Sequence, residues 1–237
     1  MKPFASLALR TEQEEEMDAA DLPDEHYARV LSHLSRINAL TLATRPTLAF
    51  IRTLLAGRAA GSAPLKLLDV GFGHGDMLRA IALMATKLKR PVELVGIDLN
   101  PRSEASARGA TDRSIAIHWI TGDYRDLAGK GWDVVISSLV AHHMSTDQRR
   151  DFLCFMESEA QVGWQINDLH RRRLPYIGYP VLAACAMVDP IVRRDGQLSI
   201  ARSFRQADWR DELDRAGIVG AHVARWFPWR LVVERSK

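Results

Sequence analysis

The feature that most constrains this chain is a set of glycines between two apolar segments: Gly71, Gly73 and Gly75 follow Lys66 to Val70 and precede Met77 to Met84. The first segment has the length and character of a buried strand and the second has helical spacing, so the glycines fall in a strand-to-helix turn. A turn without side chains lets the backbone come close to a ligand, which makes it a cofactor cradle. A dinucleotide fingerprint would place its third glycine where this chain has Asp76. Asp69, two residues before the first glycine, would also repel a pyrophosphate. Phosphate is therefore not the expected ligand of this turn.

Strand and helix signals alternate beyond the turn. Apolar runs at Val92 to Ile97, Ile115 to Ile120, Trp132 to Ser138 and Gln161 to Ile166 read as strands, separated by a helix near Ser103 to Arg108 and another starting at Thr146. Alternation of this kind predicts a parallel sheet with right-handed crossovers. Ser145 and Gln148 have the spacing of a capping box at the start of the later helix. The rhythm breaks at 168–203, a stretch with Pro175, Pro180 and Pro190 that reads as a helical insertion over the sheet edge. A helix near Gln206 to Ala216 and a terminal hairpin, Ile218 to Trp226 with Trp229 to Glu234, close the chain. Ahead of the sheet, helical spacing over Asp24 to Leu40 and a second helix from about Pro46 to Gly57 predict a helical cap. Residues 1 to about 22 lack periodicity and read as a loose arm. The division is thus 1–60 as arm and cap, and 61–237 as the main α/β domain.

Acids stand at the ends of the first three predicted strands: Asp69, Asp98 followed by Leu99, and Asp123 followed by Tyr124. Ligands of open α/β sheets bind at those strand ends. With the spacing Asp69, Gly71, Gly73, Gly75, this order resembles class I S-adenosylmethionine (SAM)-dependent methyltransferases. The resemblance spans about Lys66 to Ile166 and is weaker beyond. It implies a Rossmann-like seven-stranded, mostly parallel sheet with a terminal antiparallel hairpin. It also implies SAM as cofactor and S-adenosylhomocysteine (SAH) as product. Gly71 and Gly73 would then approach the methionine half, while Gly75 lets the helix start close by. Asp98 would accept from the ribose hydroxyls and Asp123 from the adenine amino group, with Leu99 and Tyr124 beside the base. An ordinary Gly-Asp turn is the plainer account of Asp123.

The fourth predicted strand, Trp132 to Ser138 with the loop to Met144, resembles that of small-molecule methyltransferases of ubiquinone and menaquinone biosynthesis. Ser137 stands where enzymes that methylate nucleobase amines carry Asn/Asp-Pro-Pro-aromatic, and is placed among the cofactor contacts. Neither cysteine follows a proline, which speaks against pyrimidine C5 methylation. His142 and His143 would sit at the methyl end, where an imidazole can take a proton from a phenol. Asp168 and His170 would support them from the next strand end. The run Asn167 to Arg171, with Asp195 to Phe204, resembles bacterial methyltransferases encoded beside type III polyketide synthases, which implies a phenolic or polyketide-like acceptor, methylated at oxygen. Arg36 and Asn38 are weaker candidates for the methionine half, and Tyr176, Tyr179, Met187 and Phe204 for an apolar wall. Arg171 to Arg173, Arg193, Arg194, Arg202 and Arg205 make the insertion basic, either as solvated charges or as an attraction for an anionic acceptor.

The 237 residues, 47% hydrophobic, allow one sizeable core plus an accessory segment. A net charge of +3 is too small to argue for nucleic acid as a partner. The acids Glu12 to Glu16 are wrong for a signal peptide, and the apolar run Tyr179 to Val188 is too short to cross a membrane. Cys154 and Cys185 read as buried core thiols in a reducing, cytoplasmic setting. No metal is expected, because no carboxylate cluster resembling a catechol-type magnesium site stands out. A homodimer is left open. A SAM-binding partner protein without activity, or an RNA or protein methyltransferase, are the alternatives.

Overall fold

The computed structural model describes residues 7–19, 21–59 and 61–237. Seven strands, β1 (Leu65–Val70), β2 (Val92–Asp98), β3 (His118–Thr121), β4 (Trp132–Ser138), β5 (Ala160–Leu169), β6 (His222–Trp226) and β7 (Arg230–Ser236), form one sheet in the order β3-β2-β1-β4-β5-β7-β6. The first five pair in parallel, and β7 inserts antiparallel between β5 and β6. This is the Rossmann-like arrangement that the family resemblance implied.

Side chains on the central strands alternate between two cores, as a period of two demands. Leu67, Leu94, Val134 and Ile136 face one side, against Phe50, Ile51 and Leu55 of α2 (Arg45–Ala56) and Leu78 and Ile81 of α3 (Asp76–Leu88). Leu68, Val95, Val135 and Trp164 face the other, against Phe152 and Met156 of α5 (Thr146–Glu159) and Trp209 and Leu213 of α8 (Gln206–Arg215). Both faces of the sheet are therefore covered, which is why these strands are apolar throughout rather than alternating.

Local chemistry explains the helix starts. Ser145 accepts from the Gln148 amide and the Gln148 side chain accepts from the Ser145 amide, so the predicted capping box of α5 is formed. Asn100 caps α4 (Pro101–Ala110), whose first residue is proline. The third strand is shorter than the predicted Ile115 to Ile120 because Asp112 draws the chain into a turn, accepting from the Ser114 amide and hydroxyl.

The insertion lies over the carboxyl-end edge of the sheet, where Tyr179 and Ser199 line the same cavity as the strand ends at Val70 and Ser138, and its helices α6 (Arg173–Cys185) and α7 (Pro190–Arg202) also pack on α1 (Asp24–Leu40), where Val30 and Ile37 meet Ala186, Ile191 and Val192 in a small third core. Gly196 makes this packing close, since a Cβ there would meet the Tyr179 ring at 2.1 Å. The arm is not loose over its described part. The Thr11 amide donates to the Ala201 carbonyl, and Asp195 accepts from the amides of Glu16 and Met17. Lys2 and Phe4, ahead of that part, lie outside the described residues. Cys154 and Cys185 are exposed rather than buried, because they occupy the solvent faces of α5 and α6.

Among the described residues, no helix is long and apolar enough to cross a membrane.

Candidate functional site

The strand order reverses between β1 and β4, and the crevice beyond their carboxyl ends opens into a cavity of about 620 Å³. Gly71 and Gly73, both at positive φ, bring backbone to its wall. A Cβ on Gly71 would lie 2.3 Å from Val140 on the loop after β4, so glycine is what allows the two strand ends to meet. Gly75 has a different role from the expected one. It does not line the cavity, and a Cβ there would strike the Trp119 ring at 2.5 Å, so its smallness seats α3 against β3.

Asp69 is fully buried at the cavity wall, and its Oδ1 has no hydrogen-bond partner. Burial, reinforced by Asp76 and Asp98, pushes its pKa up to about 8. Asp98 accepts from the Gly73 amide at 2.9 Å and the Asn100 amide at 2.9 Å. Burial raises its pKa and these hydrogen bonds partly oppose that. Leu99 and Gly122 continue this wall, with Tyr124 held edge-on against Phe152 and Phe155. Two expected cofactor contacts fall elsewhere. Asp123 is outside the lining and its carboxylate is taken by Arg125, 2.5 Å away, in the turn 124–127. Ser137 donates to the Val70 carbonyl at 2.8 Å inside the sheet, and the neighbouring Ser138 lines the cavity instead.

The opposite wall comes from parts of the chain with no strand-end signal. Glu15, Met17 and Asp18 from the arm join Tyr179 of α6 and Ser199 of α7. His142 and His143 lie between, on the turn after β4. His142 is buried; its Nδ1 is 2.7 Å from Asp168 Oδ1, and its amide donates to Asp168 Oδ2 at 3.1 Å. Burial alone would lower the imidazole pKa, but Asp168 and Glu15 outweigh it and raise it to about 9. His143 stacks on His142 with ring centroids 4.3 Å apart and turns its Nδ1 to Asp18 at 3.1 Å.

His170 stands apart from this group. It does not line the cavity, its amide donates to the Trp229 carbonyl, and Arg172 lies 3.4 Å from its Nε2. Burial and the arginines around it hold its pKa down at about 4. Asp168 therefore supports His142, not His170, from beneath the wall.

Of the other sequence candidates, Asn38 and Tyr179 line the cavity, while Arg36, Tyr176, Met187 and Phe204 do not. Several arginines of the insertion are structural: Arg171 pairs with Asp208, Arg194 with Glu16, and Arg202 donates to the carbonyls of Gln13 and His142.

Sequence reasoning missed Glu15 and Arg230. Glu15 is buried and accepts from the Ser199 hydroxyl at 2.7 Å, and it is one of four Glu in a run that gave no sign which would turn inward. Arg230 opens β7 at the cavity wall, 2% exposed, and its Nη1 has no partner. Its arginine between Trp229 and the apolar run Leu231 to Val233 was the available signal.

Residues 67–158, from β1 through most of α5, match the family model of a methyltransferase domain. No curated protein sequence matches the chain. Among solved structures, it is similar to magnesium protoporphyrin IX methyltransferase from Synechocystis PCC 6803 with bound SAH (16% identity, TM-score 0.55, 83% of this chain and 82% of that one). It is also similar to human N-acetylserotonin methyltransferase in complex with SAM (12%, 0.61, 92% and 59%), and to the CMeT domain of the citrinin polyketide synthase (11%, 0.59, 81% and 51%).

Proposed function

We propose that this SAM-dependent methyltransferase, whose domain match covers residues 67–158, methylates a small phenolic or polyketide-like acceptor at oxygen. The observation that carries the reading is that one cavity joins the glycine turn and its acids to buried His142 and its half-buried neighbour His143. The residues present fit the cofactor. Asp69 offers a buried oxygen without a partner to an ammonium group, and Asp98 keeps lone pairs free for ribose hydroxyls. Backbone at Gly71 and Gly73 would lie along the methionine half, and Leu99 and Tyr124 beside the base. When bound, SAM supplies a methyl group on a sulfonium and leaves as SAH.

The protein's own task is to position the acceptor oxygen and remove its proton. His142 is the group placed for the second part, and with its pKa raised to about 9 the neutral fraction able to accept a proton grows as pH rises toward that value. Asp168 holds its Nδ1 and thereby fixes the ring with Nε2 toward the cavity side, near Glu15. Tyr179, Leu182 and Trp229 offer an apolar, partly aromatic wall to a flat ring. Arg230, with a free donor, favours an acceptor that carries a negative oxygen. The polyketide-synthase neighbour and the resemblance of Asn167 to Arg171 support the acceptor class.

The test is calorimetry with SAH followed by incubation of labelled SAM with a phenol library. Wild type should bind SAH and label at least one phenol, and Asp98→Ala should lose most of the affinity. Unchanged affinity in Asp98→Ala would overturn the cofactor assignment. Binding without transfer to any small acceptor would favour a SAM-binding partner protein.

A further inference from the structure

Glu15, His142 and His143 come from segments more than 120 residues apart, yet each presents one ligand atom within 4.8 Å of the other two. Glu15 Oε1 is 3.6 Å from His142 Nε2, and Glu15 Oε2 is 3.8 Å from His143 Nε2. Donor atoms bound to one ion at about 2.1 Å lie roughly 3.0–3.4 Å apart, so each histidine needs only a few tenths of an ångström toward its Glu15 oxygen, and small side-chain rotations bring the three donors, now within 4.8 Å of one another, onto one ion. The rings fit as well. Two imidazoles bound at right angles through Nε2 have centroids roughly 4.5 Å apart, and these stand at 4.3 Å.

Each donor is aimed by a second group. Asp168 takes the Nδ1 proton of His142, Asp18 that of His143, and Ser199 donates to Glu15. Carboxylates on the far ring nitrogen are the usual supports of metal-bound histidine, because they fix the tautomer that leaves Nε2 as a donor lone pair. Carboxylates outnumber cations at the cluster. Glu15 and Asp168 lie against His142, Glu15 and Asp18 against His143, and Asp195 acts on Glu15, whereas the guanidinium groups of Arg10 and Arg202 are turned to backbone carbonyls of 142, 143 and 202 and Arg230, on the cavity wall, acts on Asp168.

We infer that Glu15, His142 and His143 form a two-histidine, one-carboxylate site for a first-row divalent cation, with its remaining positions open to the cavity. Binding of the ion follows from the side chains alone; its use rests on the methyltransferase reading. A hydroxyl of the acceptor reaching an open position would lose its proton to solvent more readily. The cation thus takes over from His142, whose Nε2 is then a ligand, the task of generating the nucleophile. The acceptors best suited are phenols with a neighbouring oxygen, which can occupy two positions.

The test uses the full chain stripped by chelator and titrated with Co²⁺, followed by ligand-field absorption and by calorimetry, with SAH binding measured in parallel. The expected result is one Co²⁺ per chain with ligand-field bands in the visible. Both should be lost in Glu15→Gln and His143→Ala, and Asp18→Asn should weaken Co²⁺ affinity about 10-fold or more. Asp18 is on the rim of the cluster and its isosteric change keeps the test open if the other variants fail to fold. Absence of stoichiometric Co²⁺ in the wild type, or equal binding in all three variants, would overturn the site. Loss of SAH binding with Co²⁺ binding retained would instead overturn the methyltransferase reading and leave the metal site standing.

Discussion

Asp69 gives a prediction with a sign that can be read directly. With its pKa pushed up to about 8, the carboxyl is about nine-tenths protonated at pH 7 in the ligand-free protein. The α-amino group of SAH, with an ordinary pKa of about 7.7–8.0, is then mostly charged. If that ammonium settles on Asp69, both partners end ionised, and about 0.8 proton must leave at pH 7 and nearly one at pH 6. Near pH 8 the balance passes through zero, and at pH 9 about 0.8 proton is taken up, because the amine must recharge. A carboxylate of ordinary pKa would instead show uptake of about 0.1 proton at pH 7. Isothermal titration of SAH in buffers of different ionisation enthalpy measures this number. Asp69→Asn should abolish the release and lower affinity by about 10- to 100-fold, the worth of one hydrogen bond to a charged group. No proton release at pH 7 would refute the argument that burial keeps Asp69 neutral until the cofactor arrives. The raised pKa also fixes the stability trend of this group. The folded state holds the proton between about pH 4 and 8, so the contribution of Asp69 to stability falls as pH rises through that window.

The remaining predictions concern packing and the acceptor side. Gly75→Ala should destabilise the protein by about 1–3 kcal/mol in denaturant titrations through the Trp119 clash, whereas Gly61→Ala, also at positive φ but in open space, should cost about 1 kcal/mol. Glu212→Ala removes the carboxylate partner of buried Arg149, 2.8 Å away, and should cost about 3–5 kcal/mol, read as a fall in melting temperature of roughly 6–20 °C. Arg230→Gln should raise KM about 10-fold for anionic acceptors while leaving neutral ones little changed, measured as initial rates over acceptor concentration. His142→Ala should lower kcat by about 10²- to 10⁴-fold, while His170→Gln, outside the cavity, should keep turnover near wild type.

How far the sequence reached depends on whether the signal was local. The glycine turn, the strand-end acids and the capping box of α5 are statements about neighbours in the chain, and the fold follows them closely. Signals that were local but ambiguous went astray: Gly75 belongs to the same motif as Gly71, yet one is small for Trp119 and the other for Val140. Asp123 read equally as an adenine contact or a turn residue, and the turn prevails because Arg125 is near enough to claim it. Asp168 and His170 stand close in the chain, but β5 ends at Leu169, and His170 beyond it is held by a bridge to Phe204 and by its amide to the Trp229 carbonyl, so only Asp168 reaches His142.

The chain's own pattern determined the layered α/β sheet, the direction of its strands and the edge where a ligand must lie, because apolar periodicity and side-chain-free turns act within a few residues. Tertiary structure alone decided which of four arm glutamates is buried, which carboxylate each histidine meets, and that a β7 arginine stands at the cavity wall with its Nη1 free and its Nη2 on Asn38. Those are contacts between segments far apart in the chain, chosen by how α1, α6 and α7 close over the crevice, and no spacing along the sequence encodes that closure.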